Sequence, residues 1–296
     1  MKFHIVSDSS CDLGREEAER LGVSMVSFYV AIGDETYYRE ERDISTQEFY
    51  RRMAQAPGVF PKTSMPTMDD YLEAFRPAAA QGLPILCICL NARFSGSCQS
   101  ALNAAEELRE EYPQARVEVL DSTLATVLQG LFVLEAARLR DEGCTLEEAV
   151  ERLRAIRSTG RIFFTTGDLE YLRHGGRIGR AAAATGTLLK VKPLIGYKDG
   201  ELISDGIAQG RRKSLAKVRE LFFRYLRREE IDLDQWRTAT GFGLDREEHT
   251  AFAQEVHQGL LDLGWDRPEV RRPYQIGVTI GVHTGPPIGV GLLRRA

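Results

Sequence analysis

The sequence predicts an α/β protein with two domains, the first built on a parallel sheet. Three observations predict it. Apolar runs without polar alternation, such as Pro84-Ile85-Leu86-Cys87-Ile88-Cys89-Leu90 and Ile276-Gly277-Val278-Thr279-Ile280-Gly281-Val282, have the composition of strands buried on both faces. Over the first half of the chain, capped helical segments separate such runs in strand–helix–strand order, which implies right-handed crossovers between parallel strands. After Ser158-Thr159-Gly160-Arg161 the pattern changes to a hairpin and two long helices, so the domains are set at 1–158 and 159–296.

Each element has a local reason. Residues 3–7 form a first strand, and Asp12 is placed to cap a helix over 13–21. A second strand over 24–32 turns at Gly33-Asp34 into a short return over 36–39. Ser45-Thr46-Gln47-Glu48 reads as a capping box for a helix to Ala56, which Pro57-Gly58 ends. A polar loop, Lys62-Thr63-Ser64-Met65-Pro66-Thr67, then leads to a helix over 69–80. Strand 85–90, helix 96–111, strand 117–120 and helix 124–142 complete the βαβ series, and Thr145-Leu146-Glu147-Glu148 caps one more helix. In the second half, strand 161–166, a short helix at 169–173 and the turn His174-Gly175-Gly176-Arg177-Ile178-Gly179 come first. Residues 188–195 lead into a hairpin turned at Asp199-Gly200, whose second strand covers 201–207. Helices over 211–228 and 246–263 flank a strand at 238–242. The last strand is read as 276–282, with 288–292 running back beside it.

Composition narrows the function. The chain of 296 residues is 43% hydrophobic and 28% charged, ordinary values for a soluble globular protein. A net charge of −4 lacks the basic face that nucleic acid requires. Neither a signal peptide nor an apolar run of the ~20 residues needed to span a bilayer is read, so the expected location is cytoplasmic. Five cysteines without C-x-x-C spacing fit reduced thiols, and Cys87 and Cys89 share a strand face as small core residues. No spacing suggests a metal site or a resident cofactor.

Chemistry concentrates where the apolar runs end. Thr63, Ser64, Ser95, Ser97 and Thr284 are neutral donors beside glycine or proline, and loops at strand ends of α/β folds are where ligands bind. Unsatisfied amides at loop–helix junctions suit an anion, whether carboxylate or phosphate. Ser95 reads either as a helix N-cap or as a ligand group, whereas Thr67 already caps the next helix and leaves Thr63 and Ser64 without a structural duty. His283 reads equally as structural or as a neutral imidazole donating to an anion. Arg177 either steers an anion or pairs with an acid. Asp8 and Asp121 either orient the site or close Asx turns. His4 is assigned to the core, His249 and His257 to a solvated helix face, and Arg211, Arg212 and Lys213 to a solvated basic cluster. G-x-x-x-x-G-K-[ST], G-x-G-x-x-G after the first strand, G-x-S-x-G and H-E-x-x-H are all missing, which argues against an autonomous kinase, a dehydrogenase and an ordinary α/β-hydrolase.

The order of these motifs resembles the DegV family. The resemblance rests on Val6-Ser7-Asp8-Ser9-Ser10-Cys11-Asp12-Leu13, Lys62-Thr63-Ser64-Met65-Pro66-Thr67 and Phe94-Ser95-Gly96-Ser97-Cys98-Gln99-Ser100-Ala101. It continues through Arg173-His174-Gly175-Gly176-Arg177-Ile178, Leu189-Lys190-Val191-Lys192-Pro193-Leu194 and His283-Thr284-Gly285-Pro286. It implies a two-domain DegV-like α/β fold that holds one long-chain fatty acid between its domains. It implies a lipid-binding subunit rather than an enzyme, presenting the carboxylate to a separate ATP-dependent fatty acid kinase that forms the acyl phosphate. Thr63, Ser64, Ser95 and His283 would hold the carboxylate with Arg177 close by, and Arg211 and Arg212 would lie near the partner-facing surface. Asn91-Ala92-Arg93, Pro287 and Gln209 depart from the family's usual Ser-Ser-Gly, glycine and arginine. The alternative function is an acyl ester or thioester hydrolase, with Ser95 or Thr63 as nucleophile and His283 as base.

Overall fold

The structure, a computed structural model, describes residues 2–33, 36–184, 191–265 and 273–296. Strand β1 (His4–Asp8) is followed by a tight 3-10 turn and helix α1 (Arg15–Leu21). Then come β2 (Val23–Val26), β3 (Tyr29–Ala31), β4 (Tyr38–Arg39), α2 (Thr46–Gln55) and β5 (Lys62–Ser64). Helix α3 (Met68–Ala80) carries the complete capping box that its sequence offers: Thr67 Oγ1 accepts from the Asp70 amide, and Asp70 accepts from the Thr67 amide. Strand β6 (Ile85–Cys89), α4 (Ser97–Glu111), β7 (Val117–Asp121), α5 (Thr126–Asp141) and α6 (Leu146–Ile156) complete this half. All pairs of the sheet β2-β1-β6-β7 are parallel, as the βαβ order requires, and β6 is buried along its whole length. Cys87 and Cys89 lie in the core that β6 shares with α3 and α4. A small antiparallel sheet, β4-β3-β5, sits beside it.

The second half begins with β8 (Arg161–Thr165) and α7 (Glu170–His174). The hairpin of β9 (Val191–Lys198) and β10 (Glu201–Gln209) turns at Asp199 and Gly200, whose φ values of 52° and 78° are those a type I′ turn needs. Helix α8 (Arg211–Arg228), β11 (Trp236–Phe242), α9 (Arg246–Asp262), β12 (Pro273–Gln275), α10 (Val278–Thr284) and β13 (Ile288–Arg294) follow. The six-stranded sheet runs β10-β9-β8-β13-β11-β12 and is antiparallel except between β11 and β12. One apolar core joins the two halves, with α5 residues Leu128, Leu131 and Phe132 packed among Ile162, Ala239 and Leu293 of the second sheet.

Several sequence expectations change. The run 276–282 is helix α10 rather than a strand. Its residues are buried on nearly every side, so neither a period of two nor one of 3.6 stands out, and β-branched composition misleads. Strand β13 does not run beside it but forms the middle of the second sheet, between β8 and β11. Asp12 does not cap α1: it ends the 3-10 turn in the left-handed region at φ 54°, and Gly14 is the residue before α1. The expected strand 24–32 breaks at Ser27-Phe28 because its halves serve two sheets. Ser45 accepts from the Glu48 amide, but the Glu48 carboxylate turns to Arg51 and Arg52, so that capping box is half formed. The Lys62–Ser64 stretch of the polar loop is itself strand β5. Asp34 of the expected turn and residues 188–190 of the expected hairpin entry lie outside the described residues.

Candidate functional site

Three chain segments converge between the two sheets. The end of β5 brings Thr63, Ser64 and Met65, the loop from β6 into α4 brings Ser95 and Gly96, and α10 brings Thr279, Ile280, His283 and Thr284. They line one cavity of about 300 Å³, which Arg177 from the turn after α7 also reaches. All five residues expected to hold an anion are therefore in one place. Apart from Thr126 and Tyr197, the remainder of the wall is apolar and comes from both halves of the chain, with Leu90 and Ala125 facing Ile162, Phe164 and Val290. A few polar groups at one side of an apolar cavity is the arrangement of an amphiphile site.

Thr63 Oγ1 and His283 Nε2 are 3.0 Å apart. Nδ1 of His283 is buried without a partner, and the ring lies so close to Gly175 that a Cβ there would sit 2.1 Å from Nδ1. Gly175 is thus required by close approach. Of the two neutral tautomers, the one protonated at Nε2 strands only an acceptor at Nδ1 and lets His283 donate to Thr63, whose own proton is then free to point into the cavity. Burial pushes the imidazole down to about 4, and the Arg177 guanidinium adds to the effect, so His283 is neutral at pH 7. Ser95 Oγ accepts from the Ser97 amide at 3.1 Å, which leaves its proton available. It tightens the loop one residue ahead of the helix cap, which is Gly96.

Among the described residues Arg177 pairs with no acid. Its Nε and Nη2 donate to the Phe94 carbonyl at 3.1 and 3.0 Å and Nη1 donates to the Gly175 carbonyl, tying the Ser95 loop to the turn after α7. Beneath that loop lies Asp8, fully buried. It accepts from the Leu90 amide at 2.8 Å, from Ser97 Oγ at 3.0 Å and from Gln129 Nε2 at 2.9 Å. Asp8 therefore braces the loop from below, while Asp121 closes turns at the amides of Ala92 and Thr123. Neither carboxylate lines the cavity.

Other expectations separate from the site. Arg211 makes a bidentate pair with Glu248 of α9, at 2.9 and 2.7 Å, and is only half-exposed; Arg212 is exposed. Both lie away from the cavity lining. His249 is not solvated: it is 2% exposed and stacks on Phe242, and burial pushes it down to about 4. His257 is half-buried, while His4 is part-buried and bonds Ser24 Oγ at 2.8 Å. His174 stacks on Phe60 outside the cavity. Sequence reasoning overlooked Thr279 and Glu40, because a threonine inside an apolar run and a glutamate after a two-residue strand carry no local signal.

The two low imidazole values have a consequence for stability. The unfolded chain takes up protons near pH 6.5 while the folded chain resists until about pH 4, so stability is full above 6.5 and falls as the pH drops through that window. Each histidine contributes on the order of 3 kcal/mol to that slope. Denaturant unfolding at pH 7 and pH 4.5 should show a smaller pH difference in His249→Asn than in the parent; an unchanged difference would contradict its buried neutral state.

The family model described as "Uncharacterised protein, DegV family" matches residues 2–295. The chain belongs to the DegV family. A DegV domain-containing protein of Clostridium perfringens is 30% identical over 289 residues, covering 96% of this chain and 94% of the relative. Among solved structures, a stearic acid-binding protein from Eubacterium ventriosum is 39% identical, with a TM-score of 0.92 and coverage of 99% and 98%. A DegV family protein from Thermus thermophilus, whose structure is described as fatty acid binding, is 31% identical, with a TM-score of 0.86 and coverage of 99% and 100%. This DegV chain shares their mixed α/β fold, with one parallel sheet and a second sheet that closes the cavity against it. Among its described residues no helix is long and apolar enough to cross a membrane.

Proposed function

We propose that this protein binds one long-chain fatty acid in the cavity between its two domains, divided near residue 158, with the carboxylate at Thr63, Ser64, Ser95 and His283 and with Arg177 nearby. The observation that carries this reading is the convergence of those five residues on one side of a single apolar cavity whose wall both sheets supply. A saturated chain gains ~0.8 kcal/mol per buried CH₂, on the order of 10 kcal/mol for a long acyl chain before association costs. The head group then needs two or more hydrogen bonds to avoid stranding its charge, and hydroxyls with a neutral imidazole supply them. The binding reported for the two similar solved structures supports the same ligand class.

Presentation to a kinase extends the reading. A separate cytoplasmic ATP-dependent partner would transfer the γ-phosphoryl group to the bound carboxylate, giving an acyl phosphate and ADP, so this chain supplies binding and orientation rather than chemistry. The hydrolase reading is less favoured by geometry. Thr63 and His283 are within hydrogen-bond reach, but Nδ1 of His283 faces no carboxylate that would orient it as a base.

Native mass spectrometry of freshly purified protein, followed by extraction, tests the ligand class. One fatty acid per chain is the expected result; an empty protein that also refuses added fatty acid would overturn the reading, and turnover of acyl esters lost in Ser95→Ala would favour the hydrolase. For the partner surface, Arg212→Glu should weaken kinase coupling while fatty acid affinity stays within about twofold, as separated sites require. Coupling that survives in Arg212→Glu places the docking surface elsewhere. Arg211 is the poorer probe, because its reversal also breaks the pair with Glu248.

A further inference from the structure

Helix α10 is an improbable helix by composition, and its presence has a local cause. Its seven residues, Val-Thr-Ile-Gly-Val-His-Thr, include one glycine and two threonines and no strong helix former, and a helix this short is marginal without outside support. The support comes from two carboxylates on separate elements. Asp12, in the loop after β1, accepts from the Gly277 amide through Oδ1 at 2.9 Å. Glu40, just after β4, accepts from the Thr279 amide at 3.1 Å through Oε1 and from Thr279 Oγ1 at 2.6 Å through Oε2. Both side chains are buried, and both are held in turn: Thr126 Oγ1 donates to Asp12 at 2.5 Å and Ser9 Oγ donates to Glu40 at 2.5 Å. Gly277 lies between them so tightly that a Cβ would sit 2.5 Å from Glu40 Oε1 and 2.7 Å from Asp12 Oδ1.

We propose that Asp12 and Glu40 are positioning residues for the head-group end of the cavity: they satisfy the first amides of α10, keep it helical, and so set His283 beside Thr63. The inference rests on the reading of His283 as a head-group residue. The amides at the start of a helix have no intrahelical acceptor, and two buried oxygens supply what the sequence of α10 itself does not. The first turn of α10 carries Thr279 and Ile280, which line the cavity, and its last turn carries His283 and Thr284, so a shift at the anchors is transmitted along one short rod to the site.

The test compares palmitate with hexadecanol, which share an acyl chain and differ in the head group. In Glu40→Ala, palmitate affinity should fall about tenfold or more while hexadecanol affinity changes by less than about twofold. Hydrogen exchange at the Gly281 and Gly285 amides, which close α10's own bonds, should accelerate in the same variant. Glu40→Gln, which keeps an acceptor for the Thr279 amide, should recover most of both effects. Should Glu40→Ala not fold, Gly277→Ala is the second variant, since its methyl group pushes the two carboxylates away from the helix. Equal losses for palmitate and hexadecanol, or unchanged palmitate affinity with protected α10 amides, would overturn the proposal. His283→Ala measured alongside separates the two ideas: if it leaves palmitate affinity intact, the head-group reading fails, while exchange in α10 still decides whether Asp12 and Glu40 anchor the helix.

Discussion

Palmitate should bind His283→Ala between about ten and one hundred times more weakly than it binds the parent, because a hydrogen bond to a charged group contributes about 1.5–3 kcal/mol. The loss is indirect as well as direct. Without the ring, Thr63 Oγ1 loses the partner at 3.0 Å that frees its proton for the ligand, and the space beside Gly175 opens to water. Fold stability at pH 7 should change much less, since the imidazole is neutral there and its Nδ1 has no partner to lose. Calorimetric titration with palmitate, together with acyl-phosphate formation by an added fatty acid kinase, gives both numbers. A folded His283→Ala protein that binds and transfers like the parent would remove the imidazole from the site. Under that outcome Arg177 and the hydroxyls would have to hold the carboxylate alone.

The second large effect concerns the apolar wall. Ala125 is 5% exposed and faces the cavity at the start of α5, opposite residues of the second sheet. In Ala125→Phe the ring occupies space that an acyl chain would fill, and every methylene excluded removes ~0.8 kcal/mol, so four of them lower affinity by roughly two orders of magnitude. Overpacking itself costs about 1–3 kcal/mol, which this chain's large core should tolerate. The lipid extracted from purified Ala125→Phe should shift to shorter chains. An unchanged chain-length profile in a folded variant would mean that the acyl chain does not run past Ala125.

These two positions differ in how far they could be read in advance. His283 is visible in the sequence because it ends an apolar run and precedes Thr-Gly-Pro, although on sequence alone it reads equally as structural or as a head-group donor. Ala125 gives no signal, since an alanine at a helix start serves a core and a cavity equally. Thr63 and Ser64 stood out as hydroxyls left over once Thr67 was assigned its cap, whereas Ser95 read either as an N-cap or as a ligand group until the structure put the cap at Gly96. Arg177 was visible as a fixed cation, but only its contacts with the Phe94 and Gly175 carbonyls decide between an ion pair and a loop tie. His249 shows the limit of a surface assignment. A charged helix still has one buried face, and stacking on Phe242 puts this ring there.

By itself the sequence determined the parallel βαβ half and the hairpin turned at Asp199-Gly200, because each rests on short-range physics: capping, turn geometry and strand burial are settled within a few residues. The tertiary structure alone decided that 276–282 is a helix, that β13 lies in the middle of the second sheet, and that an apolar cavity opens between the sheets. Those outcomes depend on groups far apart in the chain. Asp12 and Glu40 reach amides more than two hundred residues away, and a run buried on all sides carries no periodicity from which its conformation can be read.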